Sequence, residues 1–249
     1  MKTYGLIGFP LTHSFSAGYF AQKFKNENIR DMEYRNFPLS DISQFENLVK
    51  ETPGLVGLNV TIPYKEKVIP FLHELDKTAK EVNAVNTIKF IQNYDGELIL
   101  KGYNTDVFGF EQTIQPYLEC CHRKALILGT GGASKAVEFV LRKHGLHCFY
   151  ISRHEGEDIF KTYGELTGDD LLDFHIIVNT TPLGMFPKTE ECPPIPYDGI
   201  TDKHILFDLI YNPEETLFLS KGKTKGAKII NGLEMLHQQA EKAWQIWNS

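Results

Sequence analysis

A chain of 249 residues, 42% of them hydrophobic and 23% charged, is long enough for two domains of ordinary size and apolar enough to bury a core, which argues against a disordered or fibrous protein. Its net charge of −6, with basic residues dispersed and no Lys/Arg stripe to track a phosphate backbone, argues against nucleic acid as a partner. Four cysteines without a C-x-x-C pair and nine histidines without an H-E-x-x-H predict reduced thiols of a cytoplasmic protein and no metal site.

The first predicted strand covers residues 4–7, and Gly5, Gly8 and Pro10 break up the apolar stretch after Lys2, so it does not read as a secretory signal. No run approaches the roughly 18 apolar residues of a membrane-spanning helix. A helix over 16–26, a strand over 34–37, a helix over 42–50 and a strand over 55–60 follow, the last ended by Pro63. Another helix is expected from Lys65 to Leu72. Residues 85–91 and 97–102 then read as a hairpin around Asp95-Gly96. This alternation of strand and helix is the pattern of a parallel α/β domain.

A second α/β run opens with a linking helix near Phe108. A strand over 124–128, a glycine cluster, a helix over about 134–144 and strands over 147–151, 175–178 and 205–208 come after it. Five or six parallel strands with crossing helices make a Rossmann-type, doubly wound sheet. The last segment, residues 234–247, places Met235, Leu236, Ala240, Ala243, Trp244 and Trp247 at helical spacing and is expected to return to the first domain.

In Leu126-Ile127-Leu128-Gly129-Thr130-Gly131-Gly132-Ala133-Ser134 a strand, a glycine turn and a helix start stand in the order that a dinucleotide pyrophosphate needs. Ser134 departs from the usual Gly or Ala, and a plain αβ turn remains the alternative. After the next strand comes Ser152-Arg153-His154, where an NAD site would carry an acidic residue on the ribose. A hydroxyl followed by a guanidinium suits a 2′-phosphate and favours NADP, against the plainer reading of a solvated Arg.

Ser14-Phe15-Ser16, the run Asn59-Val60-Thr61-Ile62-Pro63-Tyr64-Lys65, Ala84-Val85-Asn86-Thr87 and Gly102-Tyr103-Asn104-Thr105-Asp106 resemble, in order and spacing, the signatures of the shikimate dehydrogenase family. So do the runs Asn179-Thr180-Thr181-Pro182-Leu183-Gly184-Met185, Asp208-Leu209-Ile210-Tyr211 and Gly232-Leu233-Glu234-Met235-Leu236-His237-Gln238-Gln239-Ala240. The resemblance implies reversible, NADPH-dependent reduction of 3-dehydroshikimate to shikimate, on the route to aromatic amino acids, in a cleft between two domains. Residues 1–107 with 233–249 would form the substrate domain and 108–232 the NADP domain, in a monomer or homodimer.

By that resemblance Ser14 and Ser16 would hold the ring carboxylate, Asn59, Thr61, Asn86, Tyr211 and Gln239 would line the pocket with Asp106, and Lys65 would be the catalytic group, oriented by Asp106. NADP would lie over Gly129, Thr130, Gly131, Gly132 and Ala133 and against Ser152, Arg153 and His154, with Leu209 and Gly232 beside the nicotinamide. Ser152 replaces a more usual Asn, and Glu157 stands where some members carry a second basic residue.

A ring with several hydroxyls needs many amide and hydroxyl partners, and a lysine ammonium can protonate the oxygen that becomes a hydroxyl. Taken singly, Ser14 or Ser16 reads as a helix cap and Lys65 as a solvated helix-start lysine. Two rivals remain: a quinate or dual quinate/shikimate dehydrogenase, against which Ser16 stands because quinate-using relatives tend to carry Thr, and a non-catalytic metabolite sensor, which has no need of both Lys65 and Asp106.

Overall fold

Six consecutive buried residues mark β1 (Lys2–Gly8) as a strand covered on both faces. In the computed structural model, which describes residues 1–11 and 15–249, it pairs in parallel with β2 (Met32–Pro38) and β3 (Leu55–Val60). Helix α1 (Phe15–Asn26) connects the first two of these strands. The sheet continues through β5 (Thr87–Gln92), β6 (Leu98–Tyr103) and the short β4 (Glu74–Leu75), in the order β2-β1-β3-β5-β6-β4. β5 and β6 form the antiparallel hairpin expected there, and because β5 is antiparallel to β3 as well, the sheet is mixed where the strand-helix alternation suggested parallel pairing. The hairpin turn is made by Asn93, whose side-chain oxygen accepts from Asp95 N–H and Glu97 N–H, and by Gly96 at φ +81°.

Two helical expectations need correction. Residues 65–72 form turns and a 3-10 helix, Ile69–Phe71, because Pro70 has no N–H to continue an α-helix. The segment after Asp41 starts as a 3-10 turn, Ile42–Gln44, closed by an Asp41/Gln44 capping box, before α2 (Phe45–Glu51). An unforeseen helix, α3 (Lys77–Val82), is capped by Asp76, whose carboxylate accepts from Thr78 N–H and Ala79 N–H.

The chain divides into two units, Met1–Thr105 with Ala240–Ser249, and Asp106–Gln239. In the first, Ile7, Leu58, Val60, Val68 and Ile88 form one core cluster. A second cluster brings Tyr4, Phe20 and Phe24 against Ala240, Ala243 and Trp247 from the carboxyl half of α8 (Leu233–Trp247). Ala240 and Ala243 are small enough for close approach, and a Cβ at Gly57 would run into the Trp247 indole. The indole N–H donates to Ile88 O at 3.0 Å, so the last helix is fastened to β5 as well as packed on the sheet.

The second unit begins with α4 (Thr105–Ile114), which has its first residue in the other unit, and its sheet is all parallel. The order is β12 (Lys228–Ile230), β11 (Ile205–Asp208), β10 (Ile176–Asn179), β7 (Lys124–Leu128), β8 (His147–Ser152), β9 (Ile159–Thr162). From β7 the chain winds outward through β8 and β9, then resumes on the other side with β10, β11 and β12. This doubly wound arrangement reverses direction between β7 and β10, the place where such sheets bind ligands. Helix α5 (Gly132–Lys143) connects β7 to β8, the one-turn α6 (Gly168–Leu171) lies between β9 and β10, and α7 (Leu217–Thr224) connects β11 to β12.

Removing the Trp247 side chain should cost about 3–5 kcal/mol of stability, as for a large buried aromatic. Trp247→Phe keeps most of the packing, leaves Ile88 O without its donor, and should cost about 1–3 kcal/mol. Urea denaturation of the two variants checks both values. Equal losses would mean that the hydrogen bond, and not the packing, holds the helix.

Candidate active site

In the first unit the polar residues stand where buried strands end. Asn59, the penultimate residue of β3, is 5% exposed, and Asn86, just before β5, is 3% exposed. The Asn59 amide nitrogen donates to Asn86 O and to Thr87 Oγ1, each at 3.2 Å, and its oxygen accepts from the Tyr34 hydroxyl at 2.8 Å. Asn86 Oδ1 accepts the Thr105 N–H at 2.7 Å and the Thr105 hydroxyl at 3.1 Å, which makes it a cap for the start of α4. Asn104 Nδ2 donates to Ala84 O at 2.9 Å. Ser16 is half-buried on α1, while Tyr34, Asn59 and Asn86 fall into one hydrogen-bonded network.

Thr61 and Lys65 lie on the turn after β3. Thr61 N–H donates to Ile7 O at 2.9 Å, and Lys65 O accepts from Val85 N–H at 2.7 Å, which ties the lysine backbone to the chain leading into β5. The Lys65 side chain is half-buried. Ser14 lies outside the described residues.

In the second unit Asp106, on the first turn of α4, is 7% exposed, and Gln239 on α8 is 9% exposed. Gly109 lets the two helices approach closely, since a Cβ there would meet Met235 O and Gln239. Gln239 Nε2 donates to Leu236 O at 2.9 Å.

The glycine turn stands at the switch point of the second sheet. Gly129 has φ +99° and gives its N–H to Ile151 O at 2.9 Å, while Thr180 bonds Leu128 O through its N–H and, at 2.7 Å, its hydroxyl. A Cβ on Gly129 would press on Thr180 and Thr181, whereas one on Gly131 would meet nothing within 4 Å. Gly131 is therefore the face open to a ligand. It is also the N-cap of α5 and, as a glycine, brings no side chain of its own to cap that helix. The turn fits a dinucleotide pyrophosphate, which takes backbone N–H groups at such a helix start. Ser134, the departure from the fingerprint, is buried and donates to Gly131 O at 2.6 Å, so its hydroxyl braces the turn from within.

At the end of β8, Ser152 Oγ accepts His154 N–H at 3.3 Å, and Arg153 and His154 are exposed. Leu209 N–H donates to Asn179 O at 3.0 Å and Gly232 N–H to Ile210 O at 3.0 Å. A Cβ on Gly232 would collide with Leu209 O, so the two proposed nicotinamide neighbours meet. Tyr211 is half-buried, and burial raises its phenol pKa.

Behind these loops lies a buried carboxyl group that the sequence did not single out. Asp208 accepts from Thr216 Oγ1 at 2.6 Å, Asn179 Nδ2 at 3.0 Å and Ile210 N–H at 3.0 Å. Asn179 in turn accepts from Thr181 N–H and hydroxyl at 3.0 and 2.7 Å. Burial pushes the Asp208 carboxyl up to about 6, although the three hydrogen bonds favour its charged form.

Away from this site, Glu119, Cys121 and His122 bring potential metal-ligand atoms within 4.8 Å of one another, a grouping that sequence spacing did not reveal. His122 Nδ1 already accepts Glu119 N–H at 3.1 Å, so that lone pair is engaged and the grouping is assigned no metal. The four cysteines are free, and among the described residues no helix is long and apolar enough to cross a membrane.

Residues 6–88 match the family described as the shikimate dehydrogenase substrate binding domain. A curated relative, shikimate dehydrogenase (NADP(+)) of Methanosphaera stadtmanae, is 37% identical over 262 residues, which cover 98% of this chain and 90% of the relative. A crystal structure of a shikimate dehydrogenase in complex with NADP+ has a TM-score of 0.86 at 33% identity, covering 99% of this chain and 90% of its own. The Thermus thermophilus shikimate 5-dehydrogenase, solved in complex with NADP(H) and shikimate, has a TM-score of 0.84 at 27% identity, covering 99% and 93%.

The Asp208 carboxyl makes stability depend on pH in a stated direction. Between about pH 4 and 6 the folded protein holds a proton that the unfolded chain has released, so stability from this group is present below pH 4 and is lost as pH rises through 6. The swing is roughly 3 kcal/mol. Asp208→Asn, compared with the parent by urea denaturation at pH 4 and pH 8, should gain on the parent by about that amount at the higher pH. A difference between the two proteins that does not change with pH would show that Asp208 titrates normally.

Proposed function

Since the chain belongs to the shikimate dehydrogenase family, we propose that it catalyses the reversible, NADPH-dependent reduction of 3-dehydroshikimate to shikimate. Kinship running through both units, and not through one motif, carries the reading. Residues 1–107 with 233–249 take the ring acid and residues 108–232 take NADP. Ser14 and Ser16 bind the carboxylate; Asn59, Thr61, Asn86, Tyr211 and Gln239 pair with the hydroxyl-bearing ring. Such an array suits a polyhydroxylated acid, because an analogue lacking a hydroxyl leaves a buried amide unpaired.

NADP, when bound, supplies or takes up the hydride. The protein holds the pyrophosphate against Gly129, Thr130, Gly131, Gly132 and Ala133, and meets the 2′-phosphate with Ser152, Arg153 and His154. Leu209 and Gly232 bound the nicotinamide. In the direction of reduction Lys65 Nζ gives a proton to the oxygen that becomes the hydroxyl, and its charge stabilises that oxygen as it forms. Asp106 is the carboxylate that orients this group.

Absorbance of the reduced nicotinamide, followed with shikimate and quinate against NADP and NAD, tests the proposal. Turnover of shikimate with NADP is expected. Preference for quinate would reassign the substrate, and binding without turnover would make the protein a sensor.

Arg153→Ala should raise KM for NADP by roughly tenfold to a hundredfold, the scale of one charge-assisted contact, with KM for NAD nearly unchanged. An equal rise for both cofactors would remove the 2′-phosphate from Arg153. For Lys65→Ala, kcat should fall by roughly 10²–10⁴-fold while both ligands still bind in calorimetric titrations. A folded variant turning over near the parent rate would remove Lys65 from the mechanism.

A further inference from the structure

Strand β2 carries a residue that the reading above does not use. Tyr34 is half-buried as a whole, but its hydroxyl end sits deep, and burial raises its pKa well above the ordinary phenol value. Its hydroxyl donates to Oδ1 of a proposed substrate residue, Asn59, at 2.8 Å.

The directions of these hydrogen bonds follow from the chemistry of the partners. Asn86 O is a carbonyl and can only accept, so the Asn59 atom facing it at 3.2 Å must be the amide nitrogen. Thr87 Oγ1, at 3.2 Å from the same nitrogen, takes its second proton. The Asn59 oxygen therefore faces Tyr34, and Tyr34, with one proton, must donate to it. Protons run one way, from Tyr34 through Asn59 to the Asn86 carbonyl, and the carbonyl sets the sense of the whole chain.

This order limits what each residue can show a ligand. Both Asn59 amide protons are spent, so Asn59 has only its oxygen to offer and reads a ligand hydroxyl as an acceptor. We propose that Tyr34 is a positioning residue of the substrate site, fixing through its hydroxyl which atom Asn59 presents to a hydroxylated ring acid. The assignment of substrate rests on the function proposed above.

Tyr34→Phe removes one oxygen and keeps the ring, which stacks on Phe20 at 4.6 Å between centroids. KM for shikimate should rise about fivefold to thirtyfold, the effect expected of one buried polar partner, with kcat and KM for NADP nearly unchanged. In an Asn59→Ala background the same change should have less than about a twofold effect, because the group that Tyr34 positions is gone. Losses that multiply in the double variant would overturn the proposal. So would a lowered melting temperature with KM for shikimate unchanged, the mark of a purely structural tyrosine.

A readout without substrate keeps the two proposals apart. Solvent exchange of the Asn59 side-chain amide, followed by nitrogen-15 NMR, should quicken in Tyr34→Phe, and unchanged exchange would overturn the positioning role. If the parent protein turns over neither shikimate nor quinate, the functional reading falls and amide exchange alone decides the role of Tyr34.

Discussion

Polar side chains at the ends of buried strands must find partners inside the protein, because an unpaired buried donor or acceptor costs about as much as a whole hydrogen bond contributes. Both units meet this constraint in the same way. In the first, Asn59 and Asn86 saturate one another, Tyr34, Thr87 and the start of α4. In the second, Asp208 and Asn179 join the ends of β11 and β10 and bind the loops that follow them. These networks hold the outward-facing residues still, because rotating one amide would leave several others unpaired.

The second network explains why a carboxyl group is tolerated fully buried at the end of a sheet strand. Each Asp208 oxygen has at least one donor, so the anion is stabilised where it stands, yet desolvation still outweighs these bonds and raises the pKa. The gain is geometric. Asp208 and Asn179 fix the Thr181 and Ile210 backbones, while Thr180 braces the glycine turn at Leu128 O. The loops around the switch point are thus referred to one buried set of bonds. Placement on strand ends gives them a rigidity that a freestanding loop lacks.

The elements legible in the sequence were those with a strong apolar signal. The strands at 124–128 and 205–208 have the expected bounds, because continuous apolar runs in a parallel sheet leave little choice. Strands β9 and β12 went unread because they are short edge strands of four and three residues, too brief for any periodicity. Helix α5 starts earlier than expected, at Gly132, because Gly131 serves as its N-cap. Glycine was read there as turn, not as helix start. The misread helix after Lys65 has the opposite cause: a locally plausible pattern that Pro70 interrupts.

The site was legible in part for a similar reason. Ser16, Asn59, Asn86 and the glycine turn stand in runs whose composition already suggests a polar task, whereas Tyr34 sits in a strand as an aromatic residue would for packing alone. Nothing in its spacing separates a tyrosine that fills space from one whose hydroxyl sets the direction of a hydrogen-bond chain. That difference depends on the carbonyl of Asn86, which lies 52 residues further along the chain and meets Asn59 through the fold. Asn86 shows the same limit from the other side. A single residue caps α4 through its side chain and orients Asn59 through its backbone, so the reading of an asparagine as either structural or functional presents a choice that this fold does not make.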